Sequence, residues 1–162
     1  MKFYLAARYS RRLELCGYRS DLTKLGHEVP ARWLLGEHEV SDPSAAEAVE
    51  ADGPIPVEQA RLFAHDDMED LLSSDILVCF TEPPRSPLGA RGGRHVEFGM
   101  ALGLRYLGHS DRGLYVVGPR ENIFYCHEEV DGCFETWDEF LEHLAAIGLH
   151  AHPRLFDNEQ VG

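Results

Sequence analysis

The run Asp75-Ile76-Leu77-Val78-Cys79-Phe80, the turn-rich segment Thr81 to Ala90, and the run Gly92-Gly93-Arg94-His95-Val96-Glu97-Phe98-Gly99-Met100-Ala101 decide the fold. The first is a short, unbroken apolar stretch, as in a strand buried on both faces. The last carries a helix pattern that starts at Val96 and runs to Leu107. Strand, loop and helix in this order place the loop at the strand's C-terminal end, where open α/β sheets hold their ligands. Glu97 then falls in the first turn of the helix. A glutamate there has two readings. It is a favourable charge against the helix dipole, or, beside two glycines and two basic residues, it is part of a site.

The same alternation extends outward. Phe3 to Ala7 reads as a buried opening strand. Arg11 to Leu25 follows, with Leu13, Leu15, Cys16, Leu22 and Leu25 close to helical spacing, and Gly26 ends it. His27-Glu28-Val29 starts a second short strand leading to Trp33-Leu34. Val57 to Leu72 is helical, Gly113 to Gly118 is a strand, and Phe134 begins a further short strand. Thr136 caps a last helix, Trp137 to Ile147, with Glu139 at the capping-box position. The alternation predicts an α/β three-layer sandwich around a mostly parallel sheet of about five strands. Residues 1–148 read as a single domain and 149–162 as a polar tail. The stretch 36–56 is acidic and holds Pro43, Pro54 and Pro56, so it is either a solvated loop or an active-site lid.

Composition narrows the function. The 162 residues include 28 acidic and 15 basic side chains, a formal charge of −13, which argues against binding a nucleic-acid polymer. A small anion is still compatible, because Arg85, Arg91 and Arg94 cluster in sequence. Cys16, Cys79, Cys126 and Cys133 lack paired spacing, as in a reducing compartment. No signal pattern opens the chain, and no apolar run approaches the roughly 20 residues that span a bilayer. A cytoplasmic protein is expected. The first strand is not followed by a dinucleotide-binding glycine pattern, and no serine sits in a nucleophile elbow. His143, His150, His152 and Cys126-His127 lack metal-ligand spacing. Neither cofactor nor metal is expected.

Right-handed winding brings three loops to one sheet edge: Arg8-Tyr9-Ser10, Arg91 to Glu97, and Pro119 to Asn122. The helix before the third predicted strand adds the acidic run His65-Asp66-Asp67-Met68-Glu69-Asp70. Such a run is usually a solvated face, but one inward carboxylate is enough to pair with Glu97. Two carboxylates beside a sugar ring can do retaining glycosyl chemistry, one attacking the anomeric carbon while the other moves protons. That division needs one group ionised and the other holding a proton.

Phe3-Tyr4-Leu5-Ala6-Ala7, the spacing from Asp67 to Asp75, Gly93 to Ala101, and Val116-Val117-Gly118-Pro119-Arg120-Glu121-Asn122-Ile123-Phe124 together resemble the nucleoside 2-deoxyribosyltransferase family. That family is related to the deoxynucleoside 5′-monophosphate N-glycosidases. The resemblance covers most of residues 2–145. It implies a flavodoxin-like, Rossmann-like fold and cleavage of the bond between base and deoxyribose. It further implies that Glu97 is the nucleophile of a covalent deoxyribosyl intermediate, that Asp67 passes a proton to the leaving base, and that Tyr4 orients the glutamate. Ala7, Arg8, Gly93, Arg94, Arg91 and Asn122 are the implied substrate-binding residues, with Asn122 reaching a neighbouring subunit's site. A homodimer or larger homo-oligomer follows from the same resemblance.

One position departs from the family pattern. Where the transferases carry an aspartate six residues before the nucleophile, this chain has Arg91. With Arg8 and Arg94 it is compatible with a phosphate site, as in the monophosphate hydrolases, or with ordinary ion pairs to neighbouring acids. Transfer to a second base and hydrolysis share the first half-reaction, so both remain open, transfer leading. A nucleotide-binding sensor without catalysis is the reading from another class.

Overall fold

The computed structural model describes residues 1–38, 55–82 and 92–149. Of the acidic stretch 36–56, read as a solvated loop or an active-site lid, residues 39–54 lie outside the described residues, as do Arg85, Arg91 and the tail beyond 149.

Four short apolar runs form the sheet: β1 (Phe3–Ala6), β2 (Ile76–Phe80), β3 (Gly113–Val117) and β4 (Gly132–Phe134). They pair in that order, and every pairing is parallel. Parallel neighbours need crossovers. These are supplied by α1 (Arg12–Lys24), α2 (Arg32–Leu35) and α3 (Val57–Ser73) between β1 and β2, and by α4 (Gly93–Tyr106) between β2 and β3. A last helix, α5 (Trp137–Ala146), follows β4.

The strand period of two divides the layers. Phe80 faces Tyr18 of α1 and, across it, Trp137 of α5, with ring centroids 5.3 and 5.7 Å away. Tyr115 meets Phe140 of α5 on the same side. Tyr4 and Cys79 point the other way, toward α3 and α4. Helices therefore cover both faces, and the strands bury every position of β1 and β2. That explains why they read as continuous apolar runs rather than alternating ones.

The sheet has four strands, not the expected five. His27 to Val29 contributes only a single parallel bridge, Lys2 to Glu28. Pro30 has no N–H to extend the ladder. Trp33 and Leu34 sit instead in α2, where Trp33 Nε1 donates to the Leu5 carbonyl at 3.1 Å. Phe134 ends β4 rather than beginning it.

Helix α4 starts at Gly93, three residues before the predicted start. Gly92 makes this possible. Its φ of 72° is the left-handed conformation open to glycine, and its carbonyl accepts from His95 and Val96. Glu97 consequently stands in the second turn, not the first. The dipole reading weakens accordingly, since that field fades beyond the first turn. The Thr136 cap is as predicted: its hydroxyl accepts from Glu139 N, while the Glu139 carboxylate accepts from Glu135 N. Among the described residues no helix is long and apolar enough to cross a membrane.

Candidate active site

Tyr4 is in the middle of β1, with no exposed surface. Its hydroxyl emerges between two helices of the same face. Oη lies 2.9 Å from Glu97 Oε1 on α4 and 3.1 Å from Asp67 Oδ1 on α3. The three implied catalytic residues therefore come together at one phenol oxygen. A phenol has one hydrogen, so it donates to one carboxylate and accepts only from a protonated other. The geometry favours a set of three groups that keeps one extra proton.

The electrostatics agree. Burial raises Glu97 to about 8, and the Asp67 charge adds to the rise while the Tyr4 hydrogen bond opposes it. Burial also raises Asp67, opposed chiefly by the charge of His38. Tyr4 is held well above its ordinary value by burial and then by the two carboxylates, so it stays a phenol. Both carboxyls are raised, Glu97 strongly, which favours one proton shared between them.

The acidic run on α3 splits by helical phase. Asp67 turns inward to Tyr4. Asp66, Glu69 and Asp70 bind Arg32 of α2, through Nη1, Nη2 and Nε at 2.8, 3.0 and 3.0 Å. Asp70 Oδ2 also accepts from the Arg32 backbone N–H at 2.7 Å. This clamp fixes the turn of α3 that carries Asp67. The run is thus only in part the solvated face its charge suggests: Glu69 stays exposed, while Asp70 is buried.

The remaining implied residues are more dispersed. Arg8 Nη1 meets Glu82 at 3.0 Å. Arg94 is buried, and both Nε and Nη2 donate to Glu121 Oε1, at 3.1 and 2.8 Å. Asn122 Oδ1 accepts from Phe124 N, capping a short 3-10 turn, and its Nδ2 faces His95 Nδ1 at 3.4 Å. His95 Nδ1 also contacts Tyr125 Oη at 2.7 Å. Ala7 continues directly from β1, and Gly93 is exposed at the start of α4.

Sequence reasoning missed His38. Its ring is buried, stacked on Phe63 at 4.6 Å, with Nδ1 3.6 Å from Asp67 Oδ1. No spacing in the sequence links it to Asp67. His65, Asp66 and Glu69 offer ligand atoms within 4.8 Å of one another. Asp66 and Glu69 already hold Arg32, so a metal would have to compete with that cation.

No protein-family model matches the sequence. No curated protein sequence matches it either. In fold, the chain is similar to a 2-deoxyribosyltransferase from the psychrotolerant bacterium Bacillus psychrosaccharolyticus, with 18% identity and a TM-score of 0.57 over 86% of this chain and 90% of that one.

Proposed function

We propose that the chain is a member of the nucleoside 2-deoxyribosyltransferase family and moves deoxyribose from one base to another. The observation that carries this reading is the Tyr4 hydroxyl held between Glu97 and Asp67. The fold likeness supports it independently.

The chemistry begins with the proton that rests on Glu97. It passes to the Tyr4 oxygen as Tyr4 gives its own proton to Asp67. Glu97 is then a carboxylate and Asp67 an acid. The Glu97 carboxylate attacks C1′ of the deoxyribose, and the C1′–N bond breaks. Its electron pair goes to the base nitrogen, which takes the proton from Asp67. A second base attacks C1′ of the covalent intermediate, gives its proton to Asp67, and releases Glu97 as carboxylate. The proton then passes back from Asp67 through Tyr4 to Glu97, and atoms and charges return to their starting state.

Hydrolysis of 5′-monophosphates is the runner-up, with water resolving the intermediate. The engagement of Arg8 with Glu82 and of Arg94 with Glu121 favours unphosphorylated nucleosides. Arg91 lies outside the described residues and adds nothing either way. A non-catalytic sensor gains no support from a part-buried carboxyl raised so far, since ligand binding alone does not need it. In keeping with the family resemblance, we place Asn122 at a neighbouring subunit's site in a homo-oligomer.

The test is chromatographic. Deoxynucleosides and their 5′-monophosphates are incubated with and without an acceptor base, using wild type and Glu97→Ala. New nucleoside formed only with acceptor supports transfer. Free base without acceptor, favouring monophosphates, supports hydrolysis instead. Equal inactivity of both proteins on every substrate would sink the enzymatic reading.

A further inference from the structure

The proton shared by Glu97, Tyr4 and Asp67 must rest on one carboxylate or the other, and a group outside the three bears on the choice. His38 lies in the turn after α2, with its ring packed on Phe63 of α3 at an interplanar angle of 23°. Its two nitrogens face different carboxylates of α3. Nδ1 is 3.6 Å from Asp67 Oδ1, and Nε2 is 3.8 Å from Asp66 Oδ2. Both distances exceed a normal hydrogen bond, so the interaction is one of charge. Nε2 is buried and has no hydrogen-bond partner among the described residues.

The two carboxylates are not equivalent partners. Asp66 is already met by Arg32 Nη1 at 2.8 Å. Arg32 also holds Glu69 and Asp70. Asp67 has no arginine or lysine partner among the described residues. Facing it are His38, the Tyr4 hydroxyl, and the like charges of Asp66 and Asp70. The atom nearest His38 is Oδ1, the same oxygen that receives Tyr4.

We infer that His38 is a positioning residue that sets which carboxylate of the Glu97–Tyr4–Asp67 set holds the shared proton. A protonated imidazole beside Asp67 favours the Asp67 carboxylate, which leaves the proton on Glu97. Loss of the imidazole proton releases Asp67 to accept it through Tyr4, which frees Glu97 as a nucleophile. One proton moves along two hydrogen bonds, and no other reactant is needed. His38 touches neither sugar nor base in this scheme; it acts through Asp67. The catalytic meaning rests on the function proposed above, but the coupling itself does not.

Carbon-13 labelling of aspartate and glutamate carboxyls reads this coupling without substrate. Wild type is compared with His38→Gln and with His38→Phe, which keeps the stack on Phe63. In both variants the Asp67 titration midpoint is expected to move up and that of Glu97 to move down. Unchanged midpoints in folded protein would overturn the inference, leaving His38 a packing residue. If the enzyme is active, His38→Phe also displaces the pH profile of kcat, with a loss smaller than the roughly 100-fold that removing a proton-transfer group costs. Shifted midpoints in a protein that releases no base would sink the proposed function and leave the coupling standing.

Discussion

Tyr4 Oη is 2.9 Å from Glu97 Oε1, a contact between a buried strand and the second turn of a helix 93 residues further along the chain. The hydroxyl is the only part of Tyr4 that the surrounding apolar packing does not explain. Replacing it with hydrogen leaves the ring in place and separates the two carboxylates.

Tyr4→Phe is therefore expected to keep the fold and lower kcat by about 100-fold or more, the usual scale for losing a proton-transfer path. The loss of the bridging hydrogen bonds costs about 1–3 kcal/mol of stability. Base release across pH and a denaturant melt check both parts. A kcat equal to wild type would remove Tyr4 from the mechanism.

Glu97 carries a stability signature of its own. Its folded pKa is raised to about 8 from the ordinary 4.5, so between those values the folded state binds more protons than the unfolded one. Stability from this group is then greatest below pH 4.5 and is lost as pH rises through 8. Glu97→Gln abolishes that loss. Its melting temperature is expected to gain on wild type from pH 5 to pH 9, by about 2–4 °C for each kcal/mol. A gap that stays constant with pH would show that Glu97 is not raised.

Arg94 and Glu121 expose 4% and 12% of their side chains, and Arg94 gives two donors to one carboxylate oxygen. Arg94→Met leaves that carboxylate without its guanidinium and is expected to destabilise by about 3–5 kcal/mol. A phosphate-binding arginine behaves differently: its loss raises KM for monophosphates and spares the melt. Urea titration and KM measured side by side separate the two roles.

Gly118 follows β3 with φ at 111°, and a methyl group there meets Thr81 Oγ1 at 2.6 Å and the Thr81 carbonyl oxygen at 2.8 Å. Backbone strain and the clash act together. Gly118→Ala is expected to cost about 3 kcal/mol or more, with the chain end of β2 displaced. A melting temperature unchanged from wild type would contradict the close packing of the two strand ends.

Much of the fold was legible because burial on two faces leaves a plain mark. The runs 3–6, 76–80 and 113–117 are apolar at nearly every position, with the helices α1 and α3 between the first two and α5 after β4. The second predicted strand stops at Pro30, whose missing N–H cannot extend a ladder whatever the apolar content around it. The apolar pattern of α4 begins only at Val96, but the helix starts at Gly93, because a glycine in the left-handed conformation opens a helix as readily as it closes a loop.

The sequence by itself determined the parallel α/β character, the Thr136 cap, and the residue types able to do glycosyl chemistry. It singled out Glu97 by its place after the glycine-rich loop, and gave Glu97, Asp67 and Tyr4 their catalytic roles only through resemblance. Tertiary structure decided which acid of the 66–70 run faces Tyr4, that Arg32 holds three of the others, and that Arg94 turns to Glu121. It also brought His38 to Asp67. The physical reason is range. Periodicity reports which face of an element is buried, a local property. Proton sharing depends on distances of about 3 Å between groups on different elements, and only the packing of helices on the sheet sets those.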